Sequence, residues 1–248
     1  LSNLYFFKGE YEKTLALAEE VEQSLDAAEK EKTDIHDEHA LRGRALEMRA
    51  LAAYGDLDYQ GAVARYDEAK KAFARSGYDH QEDIGRINTN QGMLLVNLSE
   101  FDRARQSLNA AYDYFSARYG EEHLKTAISL HNIAYAELTA GDADRAADVM
   151  QRAVAIYEKV LEPNHEKIAN ALFLLGRIKY AQGDIGAADA ALVRAIDAFR
   201  GAFGPDHLMI GTVNVYLTQY RAETGDVERA FQAVDEAKRV YDIHFAAD

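Results

Sequence analysis

A spacing of 42 residues governs this chain. Gly141-Asp142, Gly183-Asp184 and Gly225-Asp226 recur at that interval, and the same offset aligns much of the rest. Ala62, Ala104, Ala146, Ala188 and Ala230 form one column; Ala69, Ala111, Ala153, Ala195 and Ala237 form a second. Phe73, Phe115, Tyr157, Phe199 and Tyr241 follow one helical turn later. Copies in register exclude an ordinary single core, because a unit of this size buries its apolar side only against its neighbours. Length here counts repeats.

Each copy reads helix, Gly-Asp turn, helix. Leu130, Ile133, Ala134 and Leu138 have the three-and-four spacing of a buried helical stripe, and Ala146, Met150, Ala153 and Tyr157 show it again after the turn. The alanines let two helices approach closely. The glycine supplies a left-handed residue that ends the first helix, and the aspartate behind it is suited to capping the second. With 48% hydrophobic residues, two prolines and no tryptophan, nothing favours strand. The expectation is all-α.

The run Leu172-Phe173-Leu174-Leu175-Gly176, with Tyr180, Gly183, Ala188, Ala195 and Phe199, resembles the tetratricopeptide repeat. The long period, with Gly120-Glu121-Glu122-His123, Glu162-Pro163-Asn164-His165 and Gly204-Pro205-Asp206-His207, resembles the kinesin-light-chain subtype that is common in bacterial signalling proteins. The proline that usually follows that histidine is replaced by Leu124, Glu166 and Leu208. The resemblance implies a right-handed superhelical α-solenoid of antiparallel helix pairs whose job is protein binding.

One solenoid domain is expected over 1–248, with a partial repeat at 1–36 and repeats at about 38–78, 79–120, 121–162, 163–204 and 205–248. The first unit is irregular. Gly9 precedes His39 by 30 residues, where Gly141 precedes His165 by 24. The extra length is assigned to a longer second helix through Asp26–Lys30 or to a looser link at Lys32–His36. The turn at Gly55–Gln60 reads as about two residues longer than its counterparts. Residues 1–7 look like the tail of a helix, the chain starts without methionine, and no polar capping helix follows Phe245. The segment is therefore expected to be excised from a longer protein, or to pack its uncapped ends on a partner or a second copy.

A net charge of −14 repels phosphate backbones and anionic membranes, and no apolar run reaches the roughly 18 residues that span a bilayer. Nucleic acid and membrane are not expected partners, and a cytoplasmic location is inferred. Zero cysteines exclude disulfides and thiol chemistry. His39, His123, His165 and His207 share one column, with His80 one residue off it. Catalysis needs one histidine and not one per repeat, so these are read as bonding the backbone at helix starts. Asp34, His36, Asp37, Glu38 and His39 have ligand-like spacing, but His39 belongs to the column and acids ahead of a helix are ordinary dipole partners. No metal, cofactor or catalytic residue is assigned, since no phosphate loop, nucleophile elbow or zinc-protease motif is present.

The resemblance places a peptide-binding groove on the first helix of each repeat. It implies Arg44, Glu47, Met48 and Leu51; Arg86, Thr89, Asn90, Met93 and Asn97; His131, Asn132 and Tyr135; Phe173, Arg177 and Tyr180; and Tyr216, Gln219 and Glu223. Three arginines oppose two glutamates in this strip, so it is near neutral on an acidic chain. Asparagine can bond an extended peptide backbone, Met and aromatic rings supply apolar contact, and arginine engages carboxylates. Arg86, Asn90, Asn97, Asn132 and Arg177 have the fewest packing reasons to be there. The primary reading is a non-enzymatic interaction module or scaffold for a protein or peptide ligand. The second is the sensory or regulatory arm of a bacterial kinase or transcription regulator, closing on a small effector or peptide. The third is a homo-oligomer assembled through uncapped ends.

Overall fold

The computed structural model describes residues 8–31 and 37–245. Eleven α-helices, and no strand, occur among them: α1 (Lys8–Glu31), α2 (Glu38–Gly55), α3 (Tyr59–Arg75), α4 (Gln81–Asn97), α5 (Phe101–Tyr119), α6 (Leu124–Thr139), α7 (Ala143–Val160), α8 (Glu166–Ala181), α9 (Ile185–Phe203), α10 (Leu208–Glu223) and α11 (Val227–Phe245). They form two compact units that divide within α5, after Phe115. In the first, α2 packs on α1 and α3, and α3 on α4. In the second, the hairpins α6–α7, α8–α9 and α10–α11 stack through α7 on α8 and α9 on α10.

The turns show why these residues make hairpins. Gly141 sits at φ 90°; its N–H donates to the Leu138 carbonyl at 3.1 Å, and the Asp142 N–H donates to Glu137 at 2.9 Å. Those bonds satisfy carbonyls that the end of α6 would leave open. Asp142 then caps α7 by accepting from the Arg145 N–H at 3.0 Å, as Asp184 caps α9 and Asp226 caps α11. The column residues make the core: Ala104, Ala146, Ala188 and Phe199 are all at most 1% exposed. Burying a ring such as Phe199 contributes about 2–3 kcal/mol. Where α8 crosses α9, a Cβ on Gly176 would sit 2.5 Å from Leu192, so only glycine allows that approach.

Three expectations need correction. The turn before α3 is not longer: Gly55 closes α2, Leu57 takes the left-handed position at φ 63°, and Asp58 caps α3 through the Gly61 N–H at 2.9 Å. Leu57 and Ser99 (φ 59°) belong to the column of Gly141, so the turn length is unchanged and only its residue type differs. Gly9 is not a turn glycine but lies inside α1, which has 24 residues and runs through Asp26–Lys30; the other second helices have 17–19. Residues 1–7 and the link at 32–36 lie outside the described residues.

The third correction concerns the histidine column. His123, His165 and His207 do cap helices, each accepting through Nδ1 from the N–H two residues on, at 3.1, 3.1 and 3.3 Å. His39 does not, because Asp37 caps α2 two residues earlier by accepting from the Ala40 N–H at 3.2 Å. His80 stands at the start of α4 without a capping bond and is held instead by Asp37 (2.9 Å) and Asp83 (3.1 Å).

Candidate functional site

In the second unit the first helices bring six of the proposed groove residues together. Phe173 on α8 meets Tyr216 on α10 edge to face, with centroids 5.2 Å apart, and the Arg177 guanidinium lies over both rings at 5.9 and 5.8 Å. One turn on, Tyr180 stacks on Tyr220 at 3.9 Å with planes 7° apart. Tyr180 donates to Glu223 at 2.6 Å, and Gln219 donates to both, at 3.0 and 3.1 Å. The bonds from Tyr180 and then Gln219 hold Glu223 below its ordinary value, and the bond to Glu223 pushes the Tyr180 phenol up. The spacing follows from the helix: Phe173, Arg177 and Tyr180 lie four and three residues apart on one stripe. Cation–π and edge-to-face contacts keep these large side chains ordered while part of each faces solvent.

Also in the second unit, Asn132 and Tyr135 on α6 are half-buried, and the Asn132 side chain has no hydrogen-bond partner among the described residues. His131 points its ring at Tyr157, 6.3 Å away on α7, and desolvation pulls its imidazole down to about 4. It is thus neutral near pH 7 and behaves as a packing residue.

The first unit presents a different arrangement. Arg44 and Asn97 are exposed; Met48, Leu51, Thr89, Asn90 and Met93 are half-buried. Arg86, its side chain about half exposed, is already paired, donating to Glu47 and, at 2.8 Å, to Asp83. Glu47 is 6% exposed, so its assignment to the open surface is corrected: it anchors Arg86 between α2 and α4. The Asn90 and Asn97 carboxamides bond to no described residue.

Two participants escaped sequence reasoning. Tyr220 occupies a core column, where Ile178 is its counterpart 42 residues earlier, and only the fold shows it beneath Tyr180. Asp83, three residues before Arg86, was legible as a helical ion-pair partner. Of the ligand-like cluster, Asp34 and His36 lie outside the described residues, and Asp37 is occupied by capping and by His80. Among the described residues no three His, Asp or Glu side chains are grouped to hold a metal ion, and no helix is long and apolar enough to cross a membrane.

Stacked antiparallel helix pairs that recur at one spacing define a helical-repeat scaffold. Residues 83–159 and 140–201 match the model of the tetratricopeptide repeat family. Residues 83–201 therefore consist of tetratricopeptide repeats. Its fold is similar to that of BtubC (BKLC) from P. vanneervenii, at 18% identity and TM-score 0.78, covering 96% of this chain and 93% of that one. A Podosopora anserina protein of nearly identical TPR-like repeats, assigned as a kinesin light chain, is 16% identical at TM-score 0.72 over 84% of this chain and 99% of the other. The apo form of RapI is 13% identical at TM-score 0.75, covering 96% of this chain and 65% of RapI. No curated protein matches the sequence.

Proposed function

We propose that this chain is a protein-interaction module that holds a peptide or protein segment against the exposed side of its first helices. The observation that carries this reading is the Phe173–Arg177–Tyr216 cluster with the Tyr180–Tyr220 stack beside it. An arginine already held over two touching rings offers a carboxylate a pre-ordered partner, and tyrosine and arginine dominate binding energy at protein interfaces. The ligand favoured is an acidic or mixed-charge segment. In the first unit Asn90, Asn97 and Arg44 are the residues available to such a segment, because Arg86 is committed to Glu47 and Asp83.

Peptides selected on the intact chain from a random displayed library test this directly. Arg177→Ala and Tyr216→Ala are each expected to weaken a selected peptide about tenfold or more by fluorescence anisotropy. Affinity unchanged from the parent chain in both variants, with helical content also unchanged, would remove the surface from consideration.

A second reading rests on likeness to a Rap protein crystallised with Competence and Sporulation Factor, 16% identical at TM-score 0.66 over 96% of this chain and 65% of that one. There the chain would be a ligand-sensing arm within a cytoplasmic signalling protein, and the 42-residue period agrees with it. Ligand binding would then compact the chain. An unchanged radius of gyration at saturation, by small-angle scattering, overturns the sensing reading and leaves the scaffold.

A further inference from the structure

The back of α4 differs from its counterparts. Positions 88 and 91 are Asn and Gln, where the 42-residue register puts Leu130 and Ile133 in α6 and Leu172 and Leu175 in α8. Leu130 and Leu172 are 2% exposed core residues. Carboxamides at two core positions of one hairpin lose apolar burial, and a buried amide is costly unless it is bonded. Gln91, 2% exposed, is fully bonded: Nε2 donates to the Val63 carbonyl (3.2 Å) and Asp67 (2.7 Å), and Oε1 accepts from Lys70 (2.7 Å) and Ser107 (3.3 Å). Asn88 is not. It is 9% exposed and its side chain bonds to no described residue, whereas Asn214 in the same column donates to the Ile210 carbonyl at 2.9 Å.

Asn88 faces a crevice of about 320 Å³ between α3, α4 and α5, at the lower end of the range for small-molecule sites. Lys70 and Asp67 form one wall, Arg103 and Gln106 the other. Asp67 lies 3.1 Å from Lys70 and 3.9 Å from Arg103, so the lining itself carries one net positive charge, which Glu100 beside it balances by bonding Arg103 at 2.5 Å; the crevice is locally neutral on a chain of net charge −14. Gln106, like Asn88, has a carboxamide with no partner among the described residues. At about 100° per residue, position 88 stands some 200° around α4 from Asn90. The crevice is therefore separate from the proposed peptide surface.

We propose that this crevice binds a small organic carboxylate that also carries hydroxyl or amino groups. Lys70 and Arg103 receive the carboxylate, Asn88 and Gln106 bond its polar substituents, and Gln91 holds the walls in register. The departure from the leucine column is then explained, since local rules are broken at functional sites.

Isothermal titration of the intact chain with citrate and with L-glutamate tests the assignment. At least one probe is expected to bind, and Asn88→Asp, which keeps the side-chain shape but adds a like charge, is expected to weaken it about tenfold or more. Gln106→Ala, at an exposed position, is expected to weaken it severalfold without altering the fold. Asn88→Leu restores the column and is expected to abolish binding while raising the melting temperature. No heat with either probe means that the crevice holds only water and overturns the proposal. Unchanged affinity in the Asn88 variants places the site elsewhere, and a lowered melting temperature for Asn88→Leu makes Asn88 structural; either result also overturns it.

Discussion

The two units follow one pattern with different chemistry. In the second, Gly141, Gly183 and Gly225 take the left-handed turn position, His123, His165 and His207 cap the first helices, and leucine and isoleucine fill the core columns of α6 and α8, with Asn214 and Leu217 in α10. In the first, Leu57 and Ser99 occupy the turn position, Asp37 (φ 51°) and His80 stand at the helix starts, and Arg49, Gln91 and Asn88 sit in the same core columns. Arg49 even leaves its Nε buried without a hydrogen-bond partner, although its Nη1 reaches Glu22 at 2.5 Å. The second unit departs from these rules less, since its buried Asn214 bonds the Ile210 carbonyl of its own helix and its buried Glu137 pairs with Arg145, so most of its stability is distributed over ordinary packing. The first departs at several positions and replaces packing with ion pairs and amide bonds, which marks it as the less stable and more specialised of the two.

The core columns carry the largest effect. Leu172→Asn, which brings the first unit's chemistry into the second, is expected to cost about 3 kcal/mol, because it removes apolar burial and leaves an unbonded amide. Denaturant unfolding with hydrogen exchange resolved by unit measures it. A loss below about 1 kcal/mol would mean that the second unit is not packed as tightly as the comparison requires.

Exchanging the turn residues comes next. Gly183→Leu forces a side chain into φ 79° and is expected to cost about 1–2 kcal/mol, while Leu57→Gly relieves the same strain and stabilises the first unit by about 1 kcal/mol. Leu57 is 72% exposed, so little burial is lost with it. Opposite signs in the two melting temperatures support the comparison; equal signs break it.

Removing a cap has a smaller effect. His165→Ala is expected to cost about 1 kcal/mol, localised to the start of α8, where the Lys167 amide would exchange faster.

The subtlest contrast is in pH. Bonds to Asp37, then to Asp83, raise His80 above its ordinary value. Its contribution to the first unit is therefore fully present below about pH 6.5 and is lost as pH rises through the raised value. Desolvation depresses His131 to about 4, so the second unit loses stability as pH falls from about 6.5 towards that value. Hydrogen exchange at pH 8 and pH 5.5, corrected for intrinsic rates, should show protection rising in the first unit and falling in the second. His80→Gln should abolish the first trend.

The register of 42 residues determined by itself the helix pairs, the Gly-Asp turns, the buried alanine and aromatic columns and the capping histidines of the second unit. Each of these depends on local backbone preference and on a periodicity that side-chain packing enforces. That Phe173, Arg177, Tyr180, Tyr216 and Gln219 are neighbours on two first helices was legible only through the resemblance that periodicity supports.

Tertiary structure alone decided what depends on contacts between residues far apart in the chain. A left-handed leucine carries no sequence signal, so Gly55 drew the turn away from Leu57, which only the packing of α2 on α3 holds there. Glu47 and Arg86, 39 residues apart, read as two exposed charges until the fold buries one against the other. Asn88 reads as one more polar residue in a helix. Its meaning depends on α3 and α5, which line the crevice it faces without bonding it, and an unbonded amide in such a crevice is a property of three helices that no single stretch of sequence contains.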